Sequence, residues 1–261
     1  MLRDSLGDRI KENYENRAKT YLTRRMPCMI RLDGCHFHTF TKGFDKPFDR
    51  ALMETMWETT LELCKNIQGC VFGYTQSDEI TLVLVDYKSL QSEAWYDYQV
   101  QKMASVSASL ATMYFNSIFQ KKCTDFIGYC ELNDKGKKII EAHSKAIQRG
   151  ATFDARCFSI PKEEVTNAII WRIMDAERNS INSLGQAYFT HKELQGKKGN
   201  QIQDMLFVEH GINWNDLETP KKRGVSVIKN EEGSWVIDTE MPRIITNRDY
   251  VESRINFEEE T

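Results

Sequence analysis

The order of strand-like and helix-like runs constrains this chain most. In residues 27–32 the apolar side chains of Met29, Ile30 and Leu32 follow a helix-breaking proline and stop at Asp33-Gly34, the profile of a short buried strand closed by a turn. A polar, aromatic loop over residues 35–48 leads to Asp49, which can cap a helix in which Leu52, Met53, Met56, Trp57, Leu61 and Cys64 recur at helical spacing. Two β-rich runs, 70–76 and 80–85, flank the three-residue polar turn Ser77-Asp78-Glu79, which is a hairpin signal. Val100, Met103, Ser107, Leu110, Ala111, Tyr114 and Ile118 form one stripe and predict a long helix within 98–119. Residues 151–160 read as another strand, closed by Pro161, before a helical region from Glu163 to about Phe189.

That order is β-α-β-β-α-β. It predicts an α+β protein with a ferredoxin-like βαββαβ domain of the polymerase-palm type, in which an antiparallel four-stranded sheet carries two helices on one face. Residues 1–160 would form this catalytic domain, with an N-terminal arm and a charged, irregular insertion over 121–150. Residues 161–261 would form a C-terminal helical and hairpin extension packed on the palm, with a helix near 202–209 and a hairpin of 225–228 with 235–237 around residues 230–233.

Composition excludes several function classes. The longest apolar runs are a few residues and the first nine residues are charged, so neither a membrane span nor a secretory signal is expected. The seven cysteines (Cys28, Cys35, Cys64, Cys70, Cys123, Cys130 and Cys157) form no Cys-x-x-Cys pair and are odd in number, which reads as reduced thiols in a cytoplasmic protein. A net charge of −3 argues against nonspecific coating of nucleic acid, which depends on neutralising many phosphates. Short basic runs such as Lys121-Lys122 and Lys221-Lys222-Arg223 still leave room for a local basic surface, although most runs of this kind are simply solvated.

In the predicted fold Asp33 lies just past strand one and Asp78 at the tip of the neighbouring hairpin. Two carboxylates held close together repel unless a cation intervenes, and a pair on adjacent strands can bridge two Mg²⁺ ions about 3.5–4 Å apart. Mg²⁺ prefers oxygen and is typically held by one or two carboxylates plus substrate phosphates, so a nucleoside triphosphate is the natural partner. Gly34 permits close approach, which makes its carbonyl a further candidate ligand and the amides after it candidate phosphate donors. Each motif alone is better explained as a simple turn. Their joint placement favours the metal site.

His36 and His38 alternate with Phe37 and Phe40, but two histidines without a third nitrogen or sulfur ligand make a poor zinc site. His38 is a candidate for a phosphate or base contact or for plain packing. Lys46 could contact a triphosphate, whereas Asp49 suits a helix cap. Lys102 points either into the cleft or to solvent; spacing does not choose.

The motifs Arg31-Leu-Asp-Gly-Cys-His-Phe-His38, Lys46-Pro47 and Gly73-Tyr-Thr-Gln-Ser-Asp-Glu79 resemble those of the tRNA(His) guanylyltransferase family. Similarity continues through Phe153-Asp-Ala-Arg156, Trp171-Arg172, Asp175, Asn179, Met205-Leu-Phe207, Gly211-Ile-Asn-Trp-Asn215 and Lys222-Arg-Gly224. The resemblance implies a nucleotidyltransferase that extends the 5′ end of tRNA in the 3′-to-5′ direction with two Mg²⁺ ions and GTP or ATP as substrates. It implies metal ligation by Asp33, the Gly34 carbonyl and Asp78, a nucleotide cradle from Asp33, Gly34, Cys35, His36, Phe37, His38 and Ser77, and support from Glu79. Arg31, Lys46 and Lys102 would contact phosphates, and the protein would be a homotetramer.

Two departures refine this expectation. Where eukaryotic members carry a histidine two residues beyond the aspartate, this chain has Glu177, and a later Lys-Asn-Glu is replaced by Ile202-Gln203-Asp204. The chain therefore looks like the guanylyltransferase-like branch of bacteria, archaea and phages, which repairs 5′-truncated tRNA by template-directed addition. The competing readings are a tRNA(His) guanylyltransferase adding a single guanosine, a palm-type nucleotide cyclase that needs no RNA, and a binding module without turnover.

Overall fold

The structure is a computed structural model describing residues 5–129, 131 and 133–257; Cys130 lies outside them. In chain order the elements are α1 (Ser5–Ile10), β1 (Cys28–Gly34), α2 (Phe37–Phe40), α3 (Arg50–Asn66), β2 (Cys70–Gln76), β3 (Glu79–Leu84), α4 (Val100–Tyr129), α5 (Asp134–Arg149) and β4 (Phe153–Ser159). They continue with α6 (Lys162–Tyr188), α7 (His191–Leu194), α8 (Gly199–His210), α9 (Thr219–Arg223), β5 (Val225–Lys229), β6 (Trp235–Asp238) and α10 (Asp249–Ile255). The strands form one sheet in the order β4-β1-β3-β2-β5-β6, with every neighbouring pair antiparallel.

Side chains alternate across a strand, so each central strand feeds two cores. Cys28, Ile30 and Leu32 of β1, with Ile80, Leu82 and Leu84 of β3, join Met56 and Leu63 of α3 and Met103, Phe115 and Phe119 of α4. On the opposite face Met29, Phe72 and Val83 pack with Val165, Ile169 and Ile173 of α6 and Val251 and Ile255 of α10. The sheet is thus covered on both faces. The expected four strands with helices on one face omitted two features: α6 lies across the second face, and β5 pairs with β2, so the C-terminal hairpin continues the sheet.

The expectation of an irregular insertion over 121–150 is overturned. The long helix α4 runs on to Tyr129, and α5 buries Gly136, Ile139, His143 and Ala146, a stripe at helical spacing. Asn133 caps α5 by accepting from the Gly136 amide at 2.9 Å. Ala142 and Ile147 pack beside this stripe, and the seven charged residues of α5 hide its periodicity in the sequence. Within α4 the line that is fully buried is Met103, Ser107, Ala111, Phe115 and Phe119, one position round from the predicted stripe at its C-terminal half. Among the described residues no helix is long and apolar enough to cross a membrane, and six cysteines are free thiols.

Candidate active site

β1 carries its acidic residue inside the strand rather than after it. Asp33 pairs with Glu79 of β3 on one side and Asp154 of β4 on the other, and Gly34 pairs with Phe153. The predicted three-residue turn is in fact two residues long, because Glu79 is the first residue of β3 and pairs with Gln76. Ser77 takes a positive φ of 51° to close it. The turn is tied to β1 by the Gly34 amide, which donates to the Asp78 carbonyl at 3.1 Å. Asp33 and Asp78 therefore meet at one rim of the sheet, from positions 45 residues apart in the chain.

Their electrostatics show the expected strain. Burial pushes the Asp78 carboxyl above its ordinary value, and the Asp33 charge adds to the shift; the Ser77 hydroxyl, donating to Asp78 Oδ1 at 3.0 Å, opposes it. Glu79 is likewise raised, chiefly by burial and slightly by Asp33, against the pull of Arg172 and Arg31. Arg172 grips Glu79 with two bonds, Nε to Oε1 at 2.6 Å and Nη2 to Oε2 at 2.8 Å, and donates to Asp175 at 2.7 Å. This guanidinium is only 9% exposed, which makes a bidentate partner obligatory. Arg172 is absent from the site expected from the chemistry of the sequence. The signal was an arginine within the apolar face Val165, Ile169, Ile173 of a helix.

Beside the acidic rim lies a cleft of about 390 Å³ whose walls include His38, Lys46, Asp49, Ser77, Asp78 and Ser183. Lys46 is exposed and borders it from the loop before α3. Asp49 is the helix cap: its carboxylate accepts from the Leu52 amide at 2.9 Å, the Asp45 amide at 3.0 Å and His143 Nε2 at 2.9 Å. The buried His143 thus fixes the loop that carries Lys46 from below. His38 is exposed, with Nε2 3.0 Å from the Thr39 hydroxyl.

The other expected contact residues lie in different surroundings. The Phe37 ring packs in the core, 5.0, 5.4 and 5.3 Å from Phe40, Phe115 and Phe153, and the residue also lines the cleft. That ring also explains Gly34: a Cβ there would lie 2.2 Å from Phe37 Cδ2. The Gly34 and Cys35 amides are already engaged with the Asp78 and Thr152 carbonyls, so neither is a phosphate donor. The Cys35 thiol faces Asp154. His36 is exposed with a left-handed backbone, φ 56°. Lys102 stands one turn into α4, over the Tyr96 ring at 4.7 Å, next to Asp97, which with Asp86 holds Arg24. Asp86 follows the end of β3 opposite Glu79, and Lys102 is not among the residues that line the cleft.

The donor set suits a hard cation. Asp33 and Asp78 would supply carboxylates and Gly34 a carbonyl, while Glu79 is bonded to Arg172. Among the described residues no three His, Cys, Asp or Glu side chains are arranged to hold a metal by themselves. Such a set fits Mg²⁺, which takes its remaining ligands from water and phosphate, better than zinc, which needs four protein donors in structural sites and three in catalytic ones.

Comparison with known proteins gives the same direction. A sequence model of the tRNA(His) guanylyltransferase family matches residues 7–161. A bacterial tRNA(His) guanylyltransferase-like protein solved in complex with ATP is 41% identical and superposes with a TM-score of 0.85, over 97% of this chain and 100% of that one. Such a protein in complex with GTP is 38% identical with a TM-score of 0.77, over 96% and 98%. The probable tRNA(His) guanylyltransferase of Dictyostelium discoideum is 27% identical over 214 residues, 77% of this chain and 74% of that protein. The chain belongs to the tRNA(His) guanylyltransferase family of nucleotidyltransferases.

Proposed function

We propose that this protein adds nucleotides to the 5′ end of tRNA in the 3′-to-5′ direction, choosing each by a template, on a ferredoxin-like palm with bound Mg²⁺. The observation that carries the reading is the meeting of Asp33 and Asp78 at one sheet rim, beside a cleft bordered by Lys46 and Ser77. The order β4-β1-β3-β2 of the first four strands supports the palm assignment. Likeness to bacterial proteins solved with ATP and GTP supports a nucleoside triphosphate in the cleft.

Extension of a 5′ end requires the 3′-hydroxyl of the incoming nucleotide to attack the α-phosphorus of an activated RNA 5′ end. A P–O bond forms, pyrophosphate leaves when that end is a triphosphate, and the hydroxyl proton goes to solvent. Lys46 would hold a phosphate, Ser77 would line the phosphate path, and the Arg172–Glu79–Asp175 network would keep β3 and its turn in place under repulsion. Mg²⁺ bound at Asp33 and Asp78 would supply Lewis-acid stabilisation of charge at phosphorus and lower the pKa of the attacking hydroxyl.

Glu177 and Ile202-Gln203-Asp204, at positions where eukaryotic members carry other residues, favour repair of truncated tRNA. The second reading, addition of one guanosine to tRNA(His), draws on the name of the Dictyostelium relative. Purified protein is offered each of the four nucleotides with full-length tRNA(His) and with 5′-truncated tRNAs. Nucleotide choice that follows the template identifies repair, and guanosine addition regardless of template identifies the second reading. Cyclic product from nucleotide alone would refute both.

A further inference from the structure

We propose that Trp171 is a stacking platform for one unpaired base at the single-stranded end of the RNA substrate. Trp171 lies on the outer side of α6 and is 55% exposed, although large aromatic side chains are normally withdrawn from water. Its ring is held by two guanidinium groups, Arg172 at 4.3 Å and Arg31 at 5.5 Å. Arg31 pairs across the strands with Arg156 of the edge strand β4, whose side chain is half exposed. Arg172 is paired with Glu79 and Asp175 and Arg156 with Asp154, so Arg31 is the cation beside the exposed ring that could meet a backbone phosphate while a base stacks, the combination that binds single-stranded nucleic acid.

The position relative to the acidic rim gives the platform its role. Arg31 and Asp33 are alternate residues of β1 and point to the same face, roughly 7 Å apart along the strand. Arg172, which touches the Trp171 ring, also grips Glu79 beside Asp33. A base on Trp171 would lie beside Arg31 and Arg172 on the α6 side of the sheet, and the cleft bordered by Lys46 is lined by Ser183, twelve residues further along the same helix. The two ligands of the reaction, RNA end and triphosphate, would meet the rim from different stretches of α6. This inference rests on the nucleotidyltransferase reading above and adds the place of its RNA.

The test compares Trp171→Phe, which keeps a ring, with Trp171→Leu, which keeps apolar bulk only, using a 5′-truncated tRNA carrying 2-aminopurine at the first unpaired position. Stacking predicts that Leu raises the KM for RNA about 5- to 150-fold, while Phe stays near wild type and neither changes the KM for nucleotide. 2-Aminopurine fluorescence should be quenched on binding wild type and Phe, and not on binding Leu. Equal KM and equal quenching for Leu and wild type would overturn the platform while leaving the functional reading intact. So would a fall in kcat alone, which would mark support of Arg172, or a change of oligomeric state with RNA binding unaltered, which would mark a subunit contact. Absence of incorporation by the wild-type protein would sink the functional reading itself, and the platform with it.

Discussion

Arg172 is the residue on which the acidic rim leans. Its removal as Arg172→Met leaves Glu79 buried with no hydrogen-bonded counter-ion and only the attraction of Arg31, which should cost up to about 3–5 kcal/mol of stability in urea unfolding. Adding Glu79→Gln to that variant should recover part of the loss, because the uncompensated charge is then gone; equal stability of single and double variants would show that the pair is not coupled. Asp78 behaves in the opposite way. Its folded pKa is raised, so the native state binds its proton more tightly than the unfolded chain does, and its contribution falls as pH rises above the ordinary value of 3.8. Metal-free Asp78→Asn should therefore melt above wild type at neutral pH, with the gap closing as pH drops through the carboxylate range. Added Mg²⁺ with nucleotide should reverse the order, since only the wild type gains a bound ion.

At the scale of elements, α5 separates the two accounts of residues 121–150. An exposed insertion would tolerate Ile139→Ala, whereas a packed helix with Ile139 6% exposed predicts a loss of about 2–5 kcal/mol, read by chemical denaturation. What the sequence discloses follows from how each element announces itself. The strands of β1, β2 and β3 and the helices α3 and α6 carry strong apolar periodicity, and their positions were legible. The same pattern brought Asp33, Ser77, Asp78 and Glu79 to adjacent strands. α5 escaped although Ile139, Ala142, Ala146 and Ile147 recur at helical spacing, because they are set among seven charged residues, and the burial of the Phe37 ring depends on Phe115 and Phe153, which are distant in sequence. Lys102 stayed ambiguous for a related reason: the side of α4 it faces is fixed by the stripe, but the end of the sheet it reaches is fixed by the antiparallel path of β3 and the connection after it. Arg172 escaped because a charge within an apolar stripe has meaning only once Glu79 is known to lie opposite.

For the molecule as a whole, one sheet with two covered faces joins the halves of the chain. Its β5 pairs with β2 at Gly73, Tyr74 and Thr75, and Val227 packs in the same core as Leu63 and Ile80. A chain ending at residue 224 would leave β2 as an open edge and uncover part of that core. It should lose cooperative unfolding, measured by circular dichroism on heating; a cooperative melt near that of the full chain would instead make residues 225–261 an appendage. The account turns on divalent metal held between Asp33 and Asp78 in the presence of nucleotide. Its most direct test is Mn²⁺ binding followed by electron paramagnetic resonance, with a non-hydrolysable triphosphate present, in wild type, Asp33→Asn and Asp78→Asn. The account predicts protein-bound Mn²⁺ in wild type and its loss in each variant; undiminished binding in either variant would contradict it.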